Sequence, residues 1–266
     1  MFIRATKGVY VFFRNAAVLL LVLMLGIFIG AHYRVGKAGV YQRAMSPAEL
    51  IAAGSVKYQI PFVKGEQLIY SVRANGMTVG RSTLTYRGEV ELEGKPVHYV
   101  TFQTVAMGVD DTEHIYAQLN TFLPVKVRRD IVKLGKKQVL TEKYDQAKGR
   151  VEIFDADMPE KPVQVYEKGL PYSNPILLTY YFRAKETGFT EGKIYPVVLP
   201  KLQFDLKFVG DQDVTTANGT FKAFYFSSKP DQFKFWLGQG VDRVPLKIEQ
   251  TGFMGYSLIL ESAQNT

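Results

Sequence analysis

The sequence has no cysteine, a single tryptophan and three histidines. Without cysteine there is no disulfide scaffold, thiolate zinc site, iron–sulfur centre or cysteine nucleophile, and no lipid-attachment cysteine of the bacterial lipoprotein kind. Catalytic signatures are missing too: there is no Walker A loop, no Gly-x-Gly-x-x-Gly, no His-Glu-x-x-His and no Gly-x-Ser-x-Gly. A nucleophilic triad needs a histidine, and beyond His32 only His98 and His114 exist, neither in a familiar catalytic setting. A non-enzymatic protein with no cofactor and no metal is the expectation.

Acidic residues are scarce in one place only. The net charge is +8, yet Arg4, Lys7, Arg14, Arg34, Lys37, Arg43 and Lys57 face Glu49 alone over residues 1–57, which leaves the remainder nearly neutral. A nucleic-acid partner is therefore not expected, because no basic footprint is spread over the folded part. The excess flanks residues 16–31 (AAVLLLVLMLGIFIGA), an uncharged run that reads as a transmembrane anchor or a signal-peptide core. If residues 9–13 join it and Arg14 snorkels, residues 9–31 suffice as an anchor in the membrane. An uncleaved anchor is favoured, with the C-terminal domain in the periplasm beyond the inner membrane; a soluble periplasmic protein after cleavage is the alternative. The chain then divides into a basic tail (1–15), the apolar segment (16–31), a juxtamembrane linker with a short helix at 47–53 (32–57) and a β-rich domain (58–266).

From residue 58 apolar residues alternate with a period of two. The run 68–74, the dipeptide Asn75-Gly76 and the run 77–86 read as a hairpin with a type I′ turn. Similar punctuation recurs at Glu93-Gly94, Leu134-Gly135, Asp145–Gly149 and Asn218-Gly219. About a dozen strands are expected, a number that favours a large curved antiparallel sheet or open β-barrel. One covering helix is expected near 175–186, started by Asn174-Pro175 and stopped by Gly188.

Several short stretches share an order with a known family: Phe62 to Val72 around Gly65, Glu66 and Tyr70; Asn75 to Gly80 around Gly76; Glu142 to Asp145; Gly219 to Ala223; and Phe235-Trp236-Leu237 followed by Asp242-Arg243-Val244-Pro245. In these the chain resembles the bacterial domain-of-unknown-function family 3108, envelope proteins found behind a signal sequence. The resemblance implies a sheet architecture similar to the lipoprotein-carrier class, in which a curved sheet wraps a helix and shields an apolar cavity. Taken as residues alone, Gly65-Glu66 reads as a turn with a surface carboxylate, Trp236 as a core contact and Asp242-Arg243 as a loop ion pair.

Three clusters remain. In Asp110-Asp111-Thr112-Glu113-His114 three carboxylates and an imidazole suggest a metal site, but if the end of the run is a strand, Asp111 and Glu113 share one face and His114 takes the other, so the ligands diverge; a solvated loop leading into a strand is the simpler reading. Lys126, Arg128, Arg129, Lys133, Lys136 and Lys137 line a hairpin whose charged edges are read first as a guard against aggregation; the alternative is contact with anionic headgroups or a negatively charged envelope polymer. Glu152, Asp155, Asp157 and Glu160 form an acidic stretch. The leading expectation is an envelope domain holding an apolar ligand or a lipidated partner against Tyr70, Tyr99, Phe102, Tyr116, Phe204, Phe208, Phe224, Phe226 and Trp236. The alternatives are an adaptor for other envelope proteins and a carboxylate-dependent hydrolase of envelope polymers.

Overall fold

The computed structural model describes residues 60–184, 188–251 and 255–265. The basic tail, the apolar segment and the helix expected at 47–53 lie outside the described residues. No described helix is long and apolar enough to cross a membrane.

Fourteen strands form one antiparallel sheet: β1 (Glu66–Ala74), β2 (Met77–Leu92), β3 (Lys95–Ala106), β4 (Val109–Gln118), β5 (Pro124–Lys133), β6 (Lys136–Asp145), β7 (Arg150–Asp155), β8 (Gln164–Glu167), β9 (Ile194–Val198), β10 (Gln203–Thr216), β11 (Gly219–Lys229), β12 (Phe233–Gly238), β13 (Pro245–Gln250) and β14 (Tyr256–Asn265). One helix, α1 (Pro175–Ala184), separates β8 from β9. The mainly β expectation with one helix thus holds. Each strand pairs with its sequence neighbours, except that β1 and β14 pair at the middle of the sheet and β8 and β9 form its two ends.

Local chemistry explains the hairpins. Asn75-Gly76, Glu93-Gly94, Met107-Gly108 and Leu134-Gly135 all take positive φ at both positions, as a type I′ turn requires. Met107-Gly108 carries no turn signal in the sequence, because methionine is not a turn residue. Gly80 answers a different need: a Cβ there would lie 2.3 Å from the Val105 carbonyl oxygen and 2.4 Å from the Ala106 Cβ. The approach of β2 to β3 therefore excludes any side chain at that position.

The sheet curls around α1. Val127 of β5 and Leu206 of β10 lie far apart in strand order, yet both enter the same core as Leu177, Tyr180 and Phe182 of the helix. Burying that many large apolar side chains, each stabilising by roughly 1.5–3 kcal/mol, is what favours the closed-up form. Residues 168–173 run along the seam between the sheet ends. Lys168 Nζ donates to the Leu199 carbonyl at 2.8 Å and Ser173 N to the Val198 carbonyl at 2.7 Å, and Tyr172 packs with Val151, Ile153 and Val198.

The helix starts as expected: Asn174 Oδ1 accepts from the amides of Ile176 and Leu177 at 2.9 and 3.2 Å. It is fastened by Arg183, only 2% exposed, whose two terminal nitrogens each donate at 2.6 Å to the carboxylate of Glu66, itself 6% exposed. Arg183 Nε donates to the Asp242 carbonyl at 3.0 Å, and its guanidinium lies 5.0 Å from the Phe62 ring centroid. Two expectations are corrected here. Glu66 is no surface carboxylate, because β1 turns it inward at its first residue. Asp242 contributes its backbone carbonyl to the helix. Next to them Tyr70 donates to the Pro245 carbonyl at 3.0 Å, so four of the family-motif residues converge on the attachment of α1.

Replacing Arg183 with leucine strands the Glu66 carboxylate in the core and is expected to cost about 3–5 kcal/mol, whereas Arg183→Leu combined with Glu66→Leu costs much less because no charge stays buried. Urea unfolding of the two variants checks this. A single variant as stable as the double would contradict the assignment.

Candidate functional site

Of the aromatic residues proposed to line a concavity, Tyr70, Phe102, Phe204, Phe208 and Phe226 are buried in the main core, and Phe224 packs against it half-buried. Phe226 stacks on Phe235 at 4.4 Å, and Phe182 of the helix lies 4.9 Å from Phe226. Phe189, Phe208 and Phe224 form a group beside them, with centroids 4.9 Å apart for Phe189 and Phe224 and 5.5 Å for Phe189 and Phe208. Phe189 and Phe224 keep partial exposure.

Two of the nine do not face inward. Tyr99 and Tyr116 pair across β3 and β4 with rings 4.9 Å apart, but the neighbouring inward pair is Val100 and Ile115, so the tyrosines lie on the convex face. Period-two geometry allows no other arrangement. Trp236 alternates with Phe235 along β12 but is buried and belongs to the main core cluster, the core contact expected of it, stacked on Tyr225 at 4.9 Å, beneath Lys247 Nζ at 4.5 Å, and donating to Gln212 Oε1 at 2.9 Å.

The same alternation creates a polar cluster on the concave side. Asp111 and Glu113 share one face of β4, as their spacing predicts, but the face is the inner one: they are 1% and 8% exposed. The simpler reading of a solvated loop is thereby corrected. His114 takes the outer face, 2.7 Å from the Tyr99 hydroxyl and 3.2 Å from Asp130. Arg129, read from the sequence as part of a basic hairpin, instead lies directly across from Glu113 and donates to Asp111 Oδ2 at 2.6 Å. The signal was available: Arg129 stands two residues from the core position Val127, whereas Lys126 and Arg128 fall on the other face. Glu142 of β6 adds a third carboxylate and accepts a hydrogen bond from the Tyr144 hydroxyl.

One guanidinium cannot neutralise the two buried carboxylates and the half-buried Glu142 together. Loss of hydration pushes the Glu113 carboxyl up to about 8, more than Arg129 offsets, with the Asp111 and Glu142 charges adding to the rise. Burial likewise raises Asp111 despite its ion pair, and Glu142 despite the Tyr144 hydrogen bond. Tyr144 and Tyr256 move well upward, again through burial and then carboxylate charge. At neutral pH the site therefore presents a protonated Glu113 beside an Arg129–Asp111 ion pair. Such a group both donates and accepts hydrogen bonds.

The acidic stretch that begins within β7 does not assemble into a site. Glu152 pairs with Arg150 at 2.8 Å, Asp155 accepts from Gln138 at 2.8 Å, and Asp157 N bonds back to Asp155 at 3.0 Å. A surface pocket of about 390 Å³ is lined by Lys143, Tyr144, Asp145, Lys148, Arg150, Glu152 and Glu167, with both signs of charge interleaved.

The geometry defines a curved antiparallel sheet wrapped on one buried helix, with a polar cluster set into its inner face. The chain belongs to the family described as Protein of unknown function (DUF3108), whose model matches residues 69–261. Similar solved structures include a β-barrel-like protein of the DUF1849 domain from Brucella abortus, with 10% identity over 76% of this chain and 97% of that one at a TM-score of 0.47. A chain described as a lipoprotein from Parabacteroides distasonis has 10% identity over 79% and 100% of the two chains at 0.30. A chain described as an exported protein with a YmcC-like fold, from Bacteroides fragilis, has 11% identity over 79% and 100% of the two chains at 0.28. No curated protein matches the chain.

The raised Glu113 carboxyl has a definite pH signature. Its ordinary value is 4.5 and its folded value about 8, so between these the folded state holds a proton that the unfolded state has lost. Its contribution to stability is fully favourable below about pH 4.5 and declines as the pH rises to about 8, by roughly 1.4 kcal/mol per unit. Subtracting the stability–pH curve of Glu113→Gln from that of the native chain should give this falling slope. A flat difference would contradict a protonated Glu113.

Proposed function

We propose that the chain is a non-enzymatic domain of the bacterial cell envelope, tethered at the inner membrane by residues 9–31 or released into the periplasm, whose curved sheet binds an apolar ligand or a lipidated partner. The observation that carries this reading is the half-buried aromatic group Phe189, Phe224 and Tyr195 beside the fully buried Phe182 and Phe226. Rings left part-exposed next to a dry core are a natural seat for an acyl chain. The Arg243 guanidinium lies 5.6 Å from the Phe189 centroid.

Hydrolysis fits less well. Asp111 and Glu113 sit too deep for a polymer to reach, and Glu152 and Asp155 are engaged by Arg150 and Gln138. An adaptor role is the second reading, and it is favoured by β8, a terminal strand whose flanking Val163 and central Val165 are exposed.

Displacement of a fluorescent fatty acid from the full chain, together with mass spectrometry of the protein isolated without added lipid, tests the proposal. Phe224→Ser and Phe189→Ser should each weaken binding about tenfold, a loss equivalent to ~1.4 kcal/mol. Absence of both bound lipid and displaceable probe in the native chain would overturn it.

A further inference from the structure

Three hairpins end at the same edge of the sheet, since successive odd-to-even connections in a meander fall on one side: the turns at 75–76, 107–108 and 134–135. This edge carries Met77, Val105, Met107, Val132 and Leu134, all exposed, with Leu134 at 65% and Met107 at 48%. The 107–108 and 134–135 turns touch: Leu134 N donates to the Gly108 carbonyl at 3.1 Å.

Local rules are broken here in three independent ways. Met107 and Leu134 occupy positive φ, at 48° each, in the turn position where Asn or Asp belongs and a bulky apolar residue is disfavoured. The Asn75-Gly76 turn at the same edge and the Glu93-Gly94 turn at the opposite edge keep polar residues in that position. Exposure of the two side chains contributes nothing to the core. Finally, Lys133 and Lys136 stand directly across from each other, a like-charge pairing that weakens a ladder, and Lys137 follows on the next residue. The nearby acid, Asp110, accepts from Gln103 Nε2 at 2.9 Å. Sacrifices that do not serve the fold, gathered at one edge, mark a contact surface.

We propose that this edge is a membrane-docking surface, in which Leu134 and Met107 dip into the acyl boundary of an anionic bilayer while Lys133, Lys136 and Lys137 meet its phosphate headgroups. Apolar tips ringed by lysine are complementary to that interface, where hydrophobic burial and attraction to anionic lipid add together. The inference goes beyond the ligand proposal, because it needs no occupant of the concave face. Chain length allows it: β1 begins at the opposite edge, yet residues 32–59 at roughly 3.3 Å each reach well past the length of a nine-residue strand.

The absence of cysteine makes the test clean. The full chain, carrying Leu134→Cys, Met107→Cys or Glu93→Cys and an environment-sensitive fluorophore on the introduced thiol, is reconstituted into vesicles of phosphatidylglycerol and phosphatidylethanolamine. The Leu134 and Met107 labels should shift to the blue and be quenched several-fold more by lipid-borne nitroxide than the Glu93 label at the far edge. Reversing Lys133, Lys136 and Lys137 to glutamate, or substituting neutral phosphatidylcholine, should remove most of that difference. Edge labels as wet as the Glu93 label in anionic vesicles would overturn the proposal. So would a shift that follows protein density and ignores lipid charge, which would assign the edge to a second copy of the chain.

Discussion

A guanidinium enclosed by apolar side chains tolerates very few arrangements, and Arg183 sets the terms for much of this molecule. Its bidentate contact with Glu66 joins the only described helix to the first strand, and its Nε holds the 242 carbonyl in the connection between β12 and β13. Each partner of a buried charge pair is costly alone, so the three segments are obliged to meet in one register. The Tyr70 hydrogen bond to Pro245 reinforces the same junction. Without the helix inside, a fourteen-strand sheet would have no reason to curl, because its inner aromatic face would have nothing to pack on.

Much of this was legible in advance, and the failures are instructive. Asn75-Gly76 and Glu93-Gly94 announce hairpins through backbone chemistry that any strand alternation confirms. The helix was readable from a cap, a proline and spaced apolar residues. What could not be read is which side of each strand is the inside when both sides carry aromatic or charged residues. Tyr99 and Tyr116 look like core and lie on the convex face, whereas Asp111, Glu113 and Arg129 look like surface and are buried. Alternation specifies a grouping of residues; the direction of the group comes from strands that lie elsewhere in the sequence. Glu66 turns inward for the same reason, toward a partner 117 residues away.

The two unusual regions of the sheet break local rules in opposite directions. On the inner face of β4 to β6 polar groups occupy core positions, and the mismatch is absorbed by proton uptake on Glu113 as well as by Arg129. At the edge formed by Met107 and Leu134 apolar groups occupy solvent positions, and no described residue covers them. A buried polar group can be satisfied by its neighbours in the core; an exposed apolar one gains nothing from the residues around it.

Pairing β1 with β14 places the two ends of the domain at the middle of the sheet, with Ser71 donating to the Ile259 carbonyl across 188 residues. A chain that emerges N-terminus first, whether from the ribosome or across a membrane, presents β1 early and its central partner last. Until then, one side of β1 has no ladder and the two halves of the sheet are separate meanders. The seam that unites them closes over the longest loop the domain possesses, the slowest kind of contact to form. Assembly of this protein is therefore timed by its final strand, and a chain lacking its last dozen residues would hold two half-sheets with no ladder between them.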